Sequence, residues 1–158
     1  MEQEYGRCDI LVNNAAIAFE FNNAVRIPLK QQVEDTLRTN FFDTVAFTEK
    51  MLPLVRKSKD GRIVNMASMT GHLRILSSNK LRSAFVSPSL TKESLSSLMS
   101  KYVEDVKSGT HQVEGWASSP YGMSKLGIIA YSNVLARAEG EAISGVIVNS
   151  CCPGKLLK

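Results

Sequence analysis

Three short apolar runs, each ending in a polar turn and separated by long helical stretches, constrain this chain more than any other feature. The first is "DILVN" (Asp9–Asn13), the second sits in "GRIVNMAS", and the third in "SGVIVNS". Continuous apolar runs of this kind are the pattern of strands buried on both faces. From about Leu29 to Val55, Val33, Leu37, Phe41, Val45 and Leu52 return to one helical face with charges between them. A second helical stretch runs from Ser119 to about Glu139, with Pro120 suited to its first turn. Strands alternating with helices predict β-α-β units, and therefore a parallel sheet with helices on both faces.

A long excursion, Ser77–Pro120, separates the second run from the last helix. Within it Leu95, Leu98, Met99, Tyr102 and Val106 recur at helical spacing behind Thr91 and Glu93–Ser94, which have the character of cap residues. A polar loop, "KSGTHQVEGW", follows. There are no repeats or linkers, so residues 1–158 read as one domain or part of one, with 77–120 a helical insertion inside it. The hydrophobic content of 44% is ordinary for a globular chain. A net charge of +4 is scattered, which argues against a nucleic-acid partner. No apolar run approaches the ~20 residues of a membrane span, and "MEQEYGRCDI" resembles neither a secretory nor a transit segment. The three cysteines form neither a metal spacing nor a disulfide framework, so a cytoplasmic protein without a metal is expected.

The chemistry is expected at the carboxyl ends of the strands, where open parallel sheets bind ligands. The first strand ends in Asn13-Asn14-Ala15, the second in Asn65-Met66-Ala67-Ser68, and the third leads to Pro153-Gly154. On the helix returning to the third strand, "SSPYGMSKLG" sets Tyr121 and Lys125 four residues apart, one above the other on a helix face. A lysine held beside a phenol stabilises the phenolate, which equips the tyrosine as a general acid or base. Asn40 interrupts an apolar helix face, and a buried amide there needs partners, which a water-bridged link to Lys125 would supply. Taken singly, each motif has a plainer reading. Asn13-Asn14 can be a turn after a strand, and a tyrosine four residues before a lysine occurs by chance.

Together the motifs have a family order. N-N-A-x, T-N-F-F, V-N-x-x-S, Y-x-x-x-K and P-G, in this sequence, resemble the short-chain dehydrogenases/reductases. More narrowly, "EYGRCDILVNNAAIAF", "TNFF", "GRIVNMAS", "EGWASSPYGMSK" and "NSCCPG" are similar to the NADPH-dependent carbonyl reductases, which also insert helices between the serine and the tyrosine. The resemblance implies an α/β fold, a partial Rossmann-like doubly wound parallel sheet holding the equivalents of strands 4, 5 and 6, with a helical insertion before the catalytic tyrosine. It implies hydride transfer from NADPH to ketones, aldehydes or quinones. Tyr121 would donate the proton, Lys125 would assist it and hold the nicotinamide ribose, Ser68 would polarise the carbonyl, and Asn40 would hold a relay water. Asn13, Asn14 and Ala15 would line the ribose side of NADP, and Pro153 and Gly154 its nicotinamide side.

Of the remaining residues, Phe19 and Phe21 fall where the family's substrate cleft lies. Trp116 either walls that cleft or plugs its loop against the body. His72 and His111 read as solvated, Cys151 and Cys152 as small buried hydrophobes. Departures from the family pattern matter as well. No Gly-rich turn follows a strand, Ala16 replaces a glycine, and the chain looks truncated at both ends relative to the family. Two readings therefore stay open: a carbonyl reductase, or a non-catalytic form acting as a binding or assembly partner. The insertion is expected to cover the helix face on which related reductases dimerise, leaving exposed sheet edges as the place for self-association.

Overall fold

The computed structural model describes residues 5–19 and 27–154. Three strands, β1 (Ile10–Asn13), β2 (Arg62–Met66) and β3 (Ile147–Cys151), form one sheet in the order β1-β2-β3, with both pairings parallel. Leu11, Ile63 and Val148 stand in register across it and are buried, so they fix one core-facing layer. Between β1 and β2 run α1 (Leu29–Leu37), a π-helical turn (Arg38–Phe42) and α2 (Asp43–Arg56). The π turn was not legible as such: the apolar periodicity carries straight through it, and only Asn40 at its centre breaks the pattern. Wide turns of this kind mark functional sites in helices.

After β2 come two 3₁₀ turns, then α3 (Asn79–Phe85), α4 (Lys92–Ser108) and α5 (Pro120–Glu141). The insertion is helical as expected. Thr91 caps α4 by accepting from the Ser94 N–H, Ser94 answers at the Thr91 N–H, and Gly109 ends the helix in the left-handed conformation at φ 86°. Leu95, Met99, Tyr102 and Val106 are buried, whereas Leu98 is half-buried. Their partner surface is α1 and α5. At Gly127 of α5 an added Cβ would come within 2.9 Å of Phe41 and 3.0 Å of Met99, so only a glycine lets the three elements meet.

One expectation is corrected here. Helices were expected on both faces of the sheet, but among the described residues they cover one. Thr48 of α2 takes a hydrogen bond from Asn13, and Ser132 of α5 takes one from Asn65, while Asn13 and Asn65 bond to each other. Both helices therefore lie on the same side. The reason is topological: both connections step across the sheet in the same direction, and connections of one hand then place their helices on one face. The opposite face carries Ile10 (63% exposed), Val12 (52%) and Ile147 (47%). Cys151 follows the same rule. Expected to be buried, it is exposed, as is Cys152, because it ends an edge strand facing the uncovered side.

The covered face is cross-tied by Arg56 and Glu139, which join α2 to α5 through two nitrogen–oxygen contacts of 2.5 and 2.9 Å. That guanidinium holds the buried Glu139 carboxyl below the usual carboxylate range. No helix among the described residues is long and apolar enough to cross a membrane.

The one-sided burial gives a sharp contrast in stability. Ile63→Ala, fully buried on the covered face, should cost about 2–5 kcal/mol. Val12→Thr on the uncovered face should stay within about 0.5 kcal/mol. Urea unfolding of the two variants checks this, and comparable losses would contradict the one-sided core.

Candidate active site

The carboxyl ends of the strands gather most of the expected residues. Lys125 is buried, and its Nζ donates to the Met66 carbonyl at 2.6 Å, two residues before Ser68. The same nitrogen lies 5.5 Å from the centroid of the Tyr121 ring. Burial pushes the Lys125 ammonium below its ordinary value. Tyr121 rides on the first turn of α5, which Ser119 caps by accepting from the Gly122 N–H at 3.0 Å.

The Ser68 turn rests directly on this helix. An added Cβ at Gly71 would come within 2.8 Å of the Leu126 nitrogen, so the glycine is what lets the turn sit against the α5 backbone. Ser68 itself opens the 3₁₀ turn Met69–Gly71, and its Oγ accepts from the Thr70 N–H at 3.2 Å and the Thr70 hydroxyl at 3.0 Å.

Asn40 is buried, and its partners differ from those expected. Its Oδ1 accepts from the Ile17 N–H and its Nδ2 donates to the Ile17 carbonyl, both at 2.8 Å. Nδ2 also donates to Ser124 Oγ at 3.1 Å, and Ser124 donates on to the Tyr121 carbonyl at 2.8 Å. The amide is thus satisfied without a bridge to Lys125. It clamps the loop after β1 and reaches the tyrosine's backbone through one hydroxyl. The π turn is what aims Asn40 inward at this point.

Asn13 is committed differently from Asn14 and Ala15. Both its amide protons are used within the fold, on Thr48 Oγ1 at 2.8 Å and Asn65 Oδ1 at 2.7 Å. Asn14 and Ala15 are exposed, as are Pro153 and Gly154 on the far strand. Phe19 is half-buried, and Phe21 lies outside the described residues.

The loop before Tyr121 is held by a device of which the sequence offered Trp116 as one of two readings and did not anticipate His111. Trp116 plugs its loop against the body: it is 3% exposed, packs against Phe85 and Tyr102, and donates from Nε1 to Asp105 at 2.7 Å. His111, expected in solvent, is buried, and its Nε2 pairs with Ser118 Oγ at 2.9 Å. The carbonyl of Asp105, in the last turn of α4, accepts from the His111 N–H at 3.1 Å and holds this residue's backbone against the helix end. His72 is exposed, as expected.

This arrangement has close counterparts in known proteins. The short chain dehydrogenase family profile matches residues 1–80, just over half of the chain. The chain belongs to the short-chain dehydrogenase family. It is 44% identical over 156 residues to carbonyl reductase 1 (NADPH) of Mus musculus, covering 96% of this chain and 54% of that protein. It is 41% identical over 158 residues to carbonyl reductase 3 (NADPH) of Homo sapiens, covering 98% of this chain and 55% of that one. The chain thus spans about half the length of these curated relatives. Among solved structures, salutaridine reductase from Papaver somniferum superposes with a TM-score of 0.85 at 26% identity, over 97% of this chain and 61% of that one. Menthone neomenthol reductase from Mentha piperita gives 0.82 at 22% identity, covering 96% and 63%, a likeness of fold. In this short-chain dehydrogenase family member the sheet, the crossover helices and the insertion before Tyr121 together make a partial Rossmann-like α/β fold.

The buried ammonium yields a signed prediction. Between its lowered value and the ordinary 10.5, the unfolded chain holds a proton on Lys125 that the folded chain has released. Folded stability therefore rises with pH through that window. Lys125→Met removes this contribution. The melting temperature of the native chain, relative to Lys125→Met, should climb as pH is raised from neutrality toward 10.5. A constant difference would mean that the ammonium is not desolvated.

Proposed function

We propose that this edge of the sheet serves carbonyl reduction, with hydride passing from NADPH to ketones, aldehydes or quinones. The observation that carries the reading is the Lys125 ammonium, buried beside the Tyr121 ring and tethered to Met66 at the end of β2, two residues before Ser68. Tyr121 donates its proton to the carbonyl oxygen, and Lys125 stabilises the phenolate that remains. Ser68 donates a hydrogen bond to the same oxygen, where negative charge develops. Asn40 positions the tyrosine through Ser124 and holds the loop that carries Asn14 and Ala15.

The residues fit the nicotinamide end of NADP. Lys125 uses one of its three N–H donors on Met66, which leaves two for ribose hydroxyls. Asn14, Ala15, Pro153 and Gly154 are exposed along the same edge, where a ribose and a flat ring can approach the backbone. Among the described residues no Gly-rich turn follows a strand, so the residues assigned to NADP are those of the nicotinamide end and not of the diphosphate. NADPH, when bound, supplies the hydride.

Tyr121→Phe tests the assignment, because it deletes the proton donor and leaves the ring beside Lys125. The assay uses a chimera that joins these residues to the part of mouse carbonyl reductase 1 they do not match, with a quinone as substrate. Turnover should fall about 10²–10⁴-fold. Turnover like that of the unmutated chimera would remove Tyr121 from the mechanism.

The uncovered sheet face favours a second reading, in which this polypeptide acts through assembly. Ile10, Val12 and Ile147 expose apolar surface, and β1 has no strand beyond it among the described residues. Right-handed connections that cover this face must add strands outward from β1, since those stepping the other way place helices on the face already covered. The helix face of α1 and α5 lies under α4, which supports assigning association to the sheet rather than to a dimer through those helices. Sedimentation of the chain by itself should show concentration-dependent association that Val12→Lys weakens. A monomer at all concentrations would refute this reading.

A further inference from the structure

Ser68 donates a hydrogen bond in the proposed reaction, yet a serine hydroxyl can donate or accept and its proton rotates to suit its surroundings. Two contacts bear on which role it takes. The Thr70 N–H reaches Ser68 Oγ at 3.2 Å, and the Thr70 hydroxyl donates to the same oxygen at 3.0 Å. A hydroxyl oxygen has two acceptor positions, and one residue fills both. We propose that Thr70 is a positioning residue that pins the Ser68 hydroxyl as an obligate donor.

The geometry has a chemical consequence. With both lone pairs engaged, the Ser68 proton lies in the one remaining tetrahedral direction, away from Thr70. A carbonyl oxygen can only accept, so a hydroxyl fixed in this way is already set for it and needs no reorientation when charge develops. The pin is held in place by its footing. Gly71, the next residue, lies against the α5 backbone at Lys125–Leu126, and Gly122 closes on the Thr70 carbonyl, where an added Cβ would stand 3.0 Å away. Thr70 is therefore fixed at its backbone although its side chain is exposed. The N–H contact is the usual cap of a turn and any residue except proline supplies it, whereas the hydroxyl contact requires threonine or serine.

The proposal rests on the carbonyl-reductase reading for its use, but its geometry can be read without cofactor, substrate or turnover. Neutron diffraction from crystals of the deuterated chain locates both hydroxyl deuterons. The Thr70 deuteron should lie on the line to Ser68 Oγ, and the Ser68 deuteron should occupy one position pointing away. In Thr70→Val the Ser68 deuteron should spread over at least two positions, and Thr70→Ser should restore one. A Ser68 deuteron directed at Thr70 Oγ1, or a single unchanged position in Thr70→Val, overturns the pin. In the chimera, kcat should fall about five-fold in Thr70→Val, the weight of one ordinary hydrogen bond, and recover in Thr70→Ser. With the deuterons as expected, an unchanged kcat overturns the positioning role. Absence of turnover in the unmutated chimera counts against the reductase reading and leaves the deuteron result to decide the pin.

Discussion

The polar ladder beneath the sheet is the interaction on which the rest of the structure depends. Asn65 lies on the central strand with no exposure, so its amide has to be satisfied inside the protein. It accepts from Asn13 on the neighbouring strand and donates to Ser132 on α5, while Asn13 also donates to Thr48 on α2. One chain of amides and hydroxyls thereby fixes β1, β2, α2 and α5 relative to one another. A slip of one residue in the register of β1 or β2 would move Asn13 or Asn65 to the uncovered face and leave buried hydroxyls unmatched. The carboxyl ends of the strands are aligned by this ladder, and Lys125 bonds there to the Met66 carbonyl, two residues before Ser68.

The insertion belongs to the same logic. Its α4 helix buries an apolar stripe on α1 and α5, and its last segment is bound back to α4 by Trp116 and His111. Asp105 serves both, through its carboxylate and its carbonyl, and Lys101 balances that carboxylate at 2.8 Å. The segment so anchored leads into Ser119 and Pro120, the cap and first residue of the helix that carries Tyr121. An excursion distant in sequence from the strands thus determines where the phenol stands.

The candidate site stood out in the sequence more than its supports did. Tyr121, Lys125 and Ser68 stood out as candidates because four-residue spacing on a helix and a serine just beyond an apolar run are local patterns with a chemical meaning. The direct bond from Asn40 to the Ile17 backbone was not visible, since it depends on a π turn that apolar periodicity does not register. His111, expected in solvent, and Trp116, left open between two readings, were illegible for a related reason. A polar loop of that composition gives no sign of which side chains fold inward, and the answer came from Asp105 at the end of a different element.

By itself the sequence determined the class of fold, the three parallel strands and the helical character of the insertion. These follow from apolar periodicity, caps and turn residues, which act between near neighbours. Only the tertiary structure decided which face of the sheet is covered. An apolar strand reads the same whether one face is packed or both, and the direction in which successive connections cross the sheet is not written in any local run of residues. That direction put α2 and α5 on one side, left Ile10, Val12, Ile147 and Cys151 on the other, and brought Lys125 beneath the carbonyl that precedes Ser68.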